Sequence, residues 1–411
     1  MTLTCWSDDA FLDKIRATAD PAADACVAAL PESVSYAQLF SAMKAGSDAL
    51  PADAPQGLRD FFAATDDLPV VETDRRAFPA GLDYGRLANG RAVFLDNIAV
   101  TSLVLLAKAL PEGYSAPCLS IILNLSGDLE HHPWRRLLGV LQLVVDIFSA
   151  DAFAESGQAI CSAQKVRLMH AGIRHYVERQ WKGYDAFRAQ FGEPINLEDR
   201  LATIMGFSLL VINGTRELDI PLSAQDAEDY YYVWRVFALM MAIHPPDDPA
   251  STAWVPATIA EAQEFYTAYA RRHYATAAKN PDGCKLAADN LRMLEALMPS
   301  KLRWMGLSRV PRFYMTQLIG LDGCARVGLA PAGQWPITRL ALMEIIRAWS
   351  AFWAVVDRFG DFRSMHERVS AILLQRMITR GLDRDMNFDV PFDLSEIRSL
   401  ARPSKVGAGQ A

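Results

Sequence analysis

From Ala92 onward the apolar residues recur at intervals of three and four in long segments, and strict alternation is rare, so the pattern predicts helices rather than strands. One predicted helix runs from about Pro133 to Ala150 and is apolar on most faces, which marks it as buried. A second runs from Ser162 to Trp181. A third opens at Asn196, a favourable cap with Glu198 and Asp199 in its first turn, and closes near Asn213-Gly214. A fourth opens at Ser223-Ala-Gln-Asp226, a variant of the capping box, and stops before His244-Pro-Pro. Further helices are expected near Ala260 to Ala278, Cys284 to Leu297, Ile337 to Phe359 and Phe362 to Thr379. The first 85 residues differ: they are rich in Ala, Asp and Pro, with short amphipathic pieces at Ala10 to Ala19 and Tyr36 to Lys44. The chain therefore divides into an N-terminal helical extension (1–85), a helical core (86–330), C-terminal helices packed on it (331–402) and a disordered tail (403–411). The class is all-α.

Composition removes several alternatives. With 411 residues, 51% hydrophobic and 22% charged, the chain has the balance of a folded domain, which sets aside disordered and fibrous classes. A net charge of −7 offers no basic field for nucleic acid or an anionic membrane surface. Apolar runs such as Leu137 to Val145 are broken by Gln142 and followed by Asp146, far short of the ~20 residues that span a bilayer, so no membrane span is expected. The first residues lack a basic stretch followed by an apolar core, and the expected location is cytoplasmic. Six cysteines without Cys-x-x-Cys spacing support neither a zinc cluster nor covalent haem attachment, and reduced thiols packed in the core are expected.

Among seven histidines, His170 stands apart. His131 and His132 precede Pro133 in a loop, His244 sits in a helix-ending turn, and His175, His273 and His366 have charged neighbours that suit solvated or capping residues. His170 instead follows Val166 by four and precedes Ile173 by three, on an apolar stripe continued by Val177, so it should point inward. Arg167 and Arg174 lie one turn before and after it. Flanking cations disfavour a charged imidazole and leave a nitrogen lone pair free for a metal, and the same guanidiniums suit bidentate pairing with carboxylates. Two readings stay open on spacing alone: a metal ligand flanked by anion-binding arginines, or a core histidine whose arginines bind acidic side chains.

The run Lys165-Val-Arg-Leu-Met-His-Ala-Gly-Ile-Arg174 resembles the signature of the latex clearing protein (rubber oxygenase) family and its mycophenolic-acid-type oxygenase relatives. Gly192-Glu-Pro-Ile-Asn-Leu-Glu-Asp199, Ala202-Thr203, Gly206-Phe-Ser208 and Asp229 to Arg235 are similar to the family's next segments in order and spacing. The resemblance implies a globin-like helical core with extra helices at both ends. It also implies a non-covalent haem b with His170 as axial iron ligand and Arg167 and Arg174 as cofactor-binding residues. The activity it implies is oxygenase chemistry with O2 as co-substrate, cleaving a carbon-carbon double bond to carbonyl products.

Where latex clearing proteins carry arginine, lysine and threonine on an upstream helix, this chain has Arg136, Gly139 and Val140. The resemblance keeps Arg136 as the catalytic candidate, a hydrogen-bond donor or pocket wall, and implies a roomier, more apolar space. The region matching a carboxylate of some relatives lies near Ser120, with Asp128 and Glu130 close by, and no general base is assigned. The expected partner is a small hydrophobic substrate, isoprenoid or lipid-like, because a protein without export signals does not meet solid rubber; an electron donor is an allowed second partner. The rival from another class is a non-enzymatic haem protein that senses or carries a gas or haem.

Overall fold

The computed structural model describes residues 5–30, 55–65, 82–125, 133–149, 152–154, 157–248, 251–297 and 307–331, together with Glu344, Arg347 and Ala348. All its regular structure is helical, and no strand occurs among the described residues. Side-chain caps fix six of the helix starts. Asp8 accepts from the Ala10 N–H, Asp20 from Ala23, Asp83 from Arg86, Asn196 from Asp199, Ser223 from Asp226 and Thr258 from Glu261, each satisfying a backbone donor that the first turn leaves unpaired.

The N-terminal region supplies α1 (Asp9–Arg16), α2 (Pro21–Ala28) and α3 (Gln56–Thr65). Next come α4 (Tyr84–Asp96) and α5 (Ile98–Gly113), the latter widened to a π-helical stretch over Leu105–Ala109. The core continues with α6 (Pro117–Leu125), α7 (Pro133–Ile147), α8 (Gln158–Gln180), α9 (Tyr184–Phe191), α10 (Leu197–Phe207), α11 (Leu209–Glu217) and α12 (Ala224–Met240). It closes with α13 (Ile259–His273), α14 (Pro281–Leu297) and α15 (Val310–Arg326). No single described helix is long and apolar enough to cross a membrane; α4 and α5 reach the required apolar length only jointly, across an 84° bend.

Two packings set the frame. The α4–α12 crossing is a close one: at Gly90 a β-carbon would lie 2.4 Å from the Asp229 carbonyl oxygen and 2.6 Å from Val233 Cγ2, so only glycine admits this approach. The centre of α12 is buried on all sides, with Tyr230, Tyr231, Tyr232, Trp234 and Phe237 in the core and Trp234 stacked on Phe207 at 4.9 Å. The second packing joins α8 to α2 and so carries the N-terminal helices onto the core. Met240 and Met241 are simply core residues here.

Several boundaries depart from the sequence pattern. The helix expected from Asn196 to Gly214 is two helices broken at Ser208, whose hydroxyl donates to the Ile204 carbonyl at 2.7 Å and whose backbone leaves the helical path. Gly214 is not a C-cap: it sits inside α11, where Val104 Cγ1 would lie 2.3 Å from any β-carbon. The helix expected to end at Ala278 ends at His273 and is followed by a short 3-10 turn, Ala277–Lys279. Helix α15 was not apparent in the pattern, because Gly320 interrupts it with a left-handed φ of 67°. The piece Tyr36 to Lys44, the helices expected at Ile337 to Phe359 and Phe362 to Thr379, and the tail 403–411 lie outside the described residues.

Replacing Gly90 by Ala should force α4 away from α12 and destabilise the fold by about 1–3 kcal/mol. Urea denaturation followed by circular dichroism measures this, and a midpoint equal to that of the wild type would refute the close-approach argument.

Candidate functional site

Helix α8 is 23 residues long, about 34 Å at the rise of an α-helix, and His170 lies near its centre. Val166 and Val177 of the apolar stripe are buried, and His170 and Ile173 between them are half-buried. The imidazole is surrounded densely enough that burial is the leading cause of a pKa well below the usual histidine value, reinforced by the positive charges of Arg200 and Arg174. It still keeps some accessible surface. Its Nδ1 is shielded from solvent and has no hydrogen-bond partner. The ring is therefore neutral at physiological pH, with an Nδ1 that no protein group engages.

The two arginines of the helix are engaged by the N-terminal region. Arg167 donates from Nε to Asp20 Oδ2 at 2.8 Å and from Nη2 to Asp20 Oδ1 at 3.0 Å, a bidentate pair, and its guanidinium lies over the Phe61 ring at 5.1 Å. Arg174 donates from Nε to Asp24 Oδ1 at 2.8 Å, has Nη2 at 2.6 Å from the same oxygen, and reaches the Ile195 carbonyl with Nη1 at 3.3 Å. As expected cofactor-binding residues, both thus face carboxylates of this chain. Arg200, from the first turn of α10, adds a third cation, with Nη2 3.5 Å from Asp20 Oδ2. Burial would raise the Asp20 pKa, but the charges of Arg167 and Arg200 and the hydrogen bonds from Arg167 outweigh it and hold the carboxyl well below the usual range.

The turn leading into α10 is built under strain. Ile195 adopts a φ of 53°, a left-handed conformation that a β-branched residue takes only when its surroundings enforce it. This conformation accompanies an Ile195 carbonyl that accepts from Arg174 and an Asn196 that caps α10. Beyond it, Glu198 and Asp199 form a second buried cluster with Arg16, which donates from Nη1 to Glu198 Oε2 and Asp199 Oδ1, both at 3.1 Å. His273 Nε2 lies 3.0 Å from Glu198 Oε2, and Tyr269 donates to Asp199 at 2.9 Å. His273 is consequently a half-buried partner of a carboxylate rather than the solvated residue its neighbours suggested.

Arg136 lies on α7, which packs on α8, but its side chain is outside the described residues. Gly139 and Val140 on the same helix are half-buried. Ser120 is fully buried and donates to the Tyr114 and Ala116 carbonyls, while Asp128 and Glu130 are outside the described residues. No cluster of three or more His, Cys, Asp or Glu arranged for a bare metal ion occurs among the described residues. The cysteines are free thiols, with Cys26, Cys118 and Cys324 buried. Asp20, Asp24 and Arg200 escaped the sequence reading. Asp20-Pro21 carries a helix-start signal, but nothing local announces a partner 147 residues away.

Residues 87–375 match the family described as ER-bound oxygenase mpaB/B'/Rubber oxygenase, catalytic domain. A rubber oxygenase from Streptomyces sp. (strain K30) is 24% identical over 210 residues, which cover 51% of this chain and 47% of the relative, so the match spans about half of that protein's length. A solved structure of latex clearing protein in its closed state superposes with a TM-score of 0.66 at 20% identity, covering 96% of this chain and 99% of that one. The fold is therefore the globin-like all-α fold of that structure.

Removing Asp20 leaves Arg167 and Arg200 as uncompensated buried cations, so Asp20→Ala should cost about 3–5 kcal/mol. Because the folded-state pKa of Asp20 is lowered, its contribution is fully present above the unfolded-state value of 3.8 and is lost as pH falls below it. Stability measured against pH should fall for the wild type below about pH 4, and Asp20→Asn should remove part of that slope; identical acid profiles would contradict the assignment.

Proposed function

Because the chain belongs to the family of the mpaB/B' and rubber oxygenase catalytic domains, we propose that it is a haem b-dependent oxygenase that uses O2 to cleave a carbon-carbon double bond of a hydrophobic, isoprenoid or lipid-like substrate. The observation that carries the reading is His170, a neutral imidazole at the centre of α8, in the segment matched to the family, with a shielded and unpartnered Nδ1. The donor chemistry fits the group: His170 would hold the iron through an uncharged ring nitrogen. When bound, the haem supplies the redox-active iron at which O2 is activated.

The chain's own contribution is to hold and insulate that ligand. Burial, reinforced by Arg200 and Arg174, keeps the ring deprotonated, so acidification does not protonate it until well below the usual histidine range. On α7, Gly139 and Val140 offer neither amine nor hydroxyl, a surface suited to apolar contact with substrate. Arg136, one turn earlier, is proposed as the donor or wall at the polar edge of that space. An electron donor is a further proposed partner. The absence of polar side chains at 139 and 140 also favours a second reading, a haem protein that binds gas or haem without turnover.

Reconstituted with haemin, the chain should show a Soret band that survives dialysis and is lost in His170→Ala while far-ultraviolet circular dichroism is unchanged. A colourless chain that takes up no haemin would overturn the haem reading. With reductant and O2, carbonyl products from a panel of alkenes support the oxygenase, and binding without any product supports the sensor or carrier.

A further inference from the structure

The charges around His170 do not balance. Three guanidiniums, Arg167, Arg174 and Arg200, share two carboxylates, Asp20 and Asp24, beside an imidazole that is itself neutral. Arg167 occupies both oxygens of Asp20, and Asp24 is taken by Arg174. What remains for Arg200 is one contact at 3.5 Å, the outer limit of a hydrogen bond, from Nη2 to an oxygen already bonded at 2.8 Å.

Its other two nitrogens, Nε and Nη1, are sealed from solvent and have no partner, although the side chain is only 3% exposed. Burial, partly offset by Asp20 and aided by Arg174 and Arg167, brings the Arg200 pKa down to about 9, still charged at neutral pH. A buried cation in this state costs several kcal/mol and persists in a folded protein only for a reason. Its neighbourhood supplies one: among the surrounding charges, Arg200 exerts the largest effect on His170.

We propose that Arg200 receives a carboxylate of the group that docks beside His170. Both pairing edges of a guanidinium, Nε with Nη2 and Nη1 with Nη2, here hold an unused donor, and a carboxylate is the anion whose two oxygens match either edge. The weak contact to Asp20 is the one that yields, and Arg167 then keeps Asp20 paired. This assignment differs from what the family resemblance implied, in which Arg167 and Arg174 bind the cofactor; in the folded chain both face carboxylates of the chain itself. Two sources carry the chemistry: a carboxylate on the edge of the porphyrin, which rests on the haem reading above, or the head of an acyl substrate, which does not.

Binding ratios separate the sources. Haemin and haemin dimethyl ester are titrated by Soret absorbance, and dodecanoate and methyl dodecanoate by calorimetry on the chain as purified, with wild type, Arg200→Met and Arg200→Gln. If the porphyrin is the source, the wild type prefers haemin over its ester by about tenfold or more, and both variants bring the ratio close to one. If the acyl head is the source, the collapse occurs instead in the dodecanoate ratio. Preferences that are equal in wild type and in variants folded by circular dichroism, for both pairs of probes, overturn the proposal. Should both variants fail to fold, Arg200→Lys keeps the charge but not the planar edges and is expected to lower the operative ratio severalfold; an unchanged ratio overturns the proposal equally. A wild type that binds no haemin defeats the haem reading alone, because the dodecanoate arm still decides the role of Arg200.

Discussion

The arrangement around His170 depends on a carboxylate withdrawn from water. Asp20 is 1% exposed, and an isolated carboxylate at such a position would pick up a proton rather than stay charged. It stays ionised because Arg167 grips it with two parallel hydrogen bonds and Arg200 stands behind. The dependence is mutual, since neither guanidinium tolerates the interior without a counter-charge. Through this one group α2, α8 and α10 are locked in register: Asp20 caps α2 and binds cations from the other two. Arg16 does the same from the opposite sign, joining α1 to the two carboxylates at the head of α10.

The N-terminal region is therefore part of the site rather than a cover over it. Asp20 and Asp24 are the immediate partners of the arginines that bracket His170, and Phe61 of α3 underlies one of them. Together they hold cations close to the imidazole, which adds to the effect of burial in keeping the ring neutral, while its Nδ1 stays uncommitted.

How much of this was legible in the sequence follows from the range of the interactions. The period of α8 placed His170, Arg167 and Arg174 correctly relative to one another, because residues three and four apart on a helix are neighbours wherever the helix goes. Caps at Asn196 and Ser223 were legible for the same reason: the acceptor and the N–H it satisfies are three residues apart. What failed was whatever depended on a distant element. Gly214 has the composition of a helix end but exists to let Val104 approach, and Gly320 hid α15 because a left-handed residue interrupts its period. His273, set among charged residues, looked like a surface residue until Glu198 closed over it from α10. Two readings of the motif arginines stayed open from spacing alone, and the position of α2 shows which carboxylates they meet.

The separation in sequence between these partners also governs how the chain is made. Asp20 leaves the ribosome well before Arg167 or Arg200 exists, and at ~5–20 residues per second the interval is on the order of ten seconds. During that time α2 carries an acidic face with no counter-charge and cannot dock. Closing a loop of this length before any contact rewards it is entropically costly, so the charge cluster beside His170 forms late in biogenesis. A nascent chain truncated before α8 would present only loose amphipathic helices to chaperones and proteases.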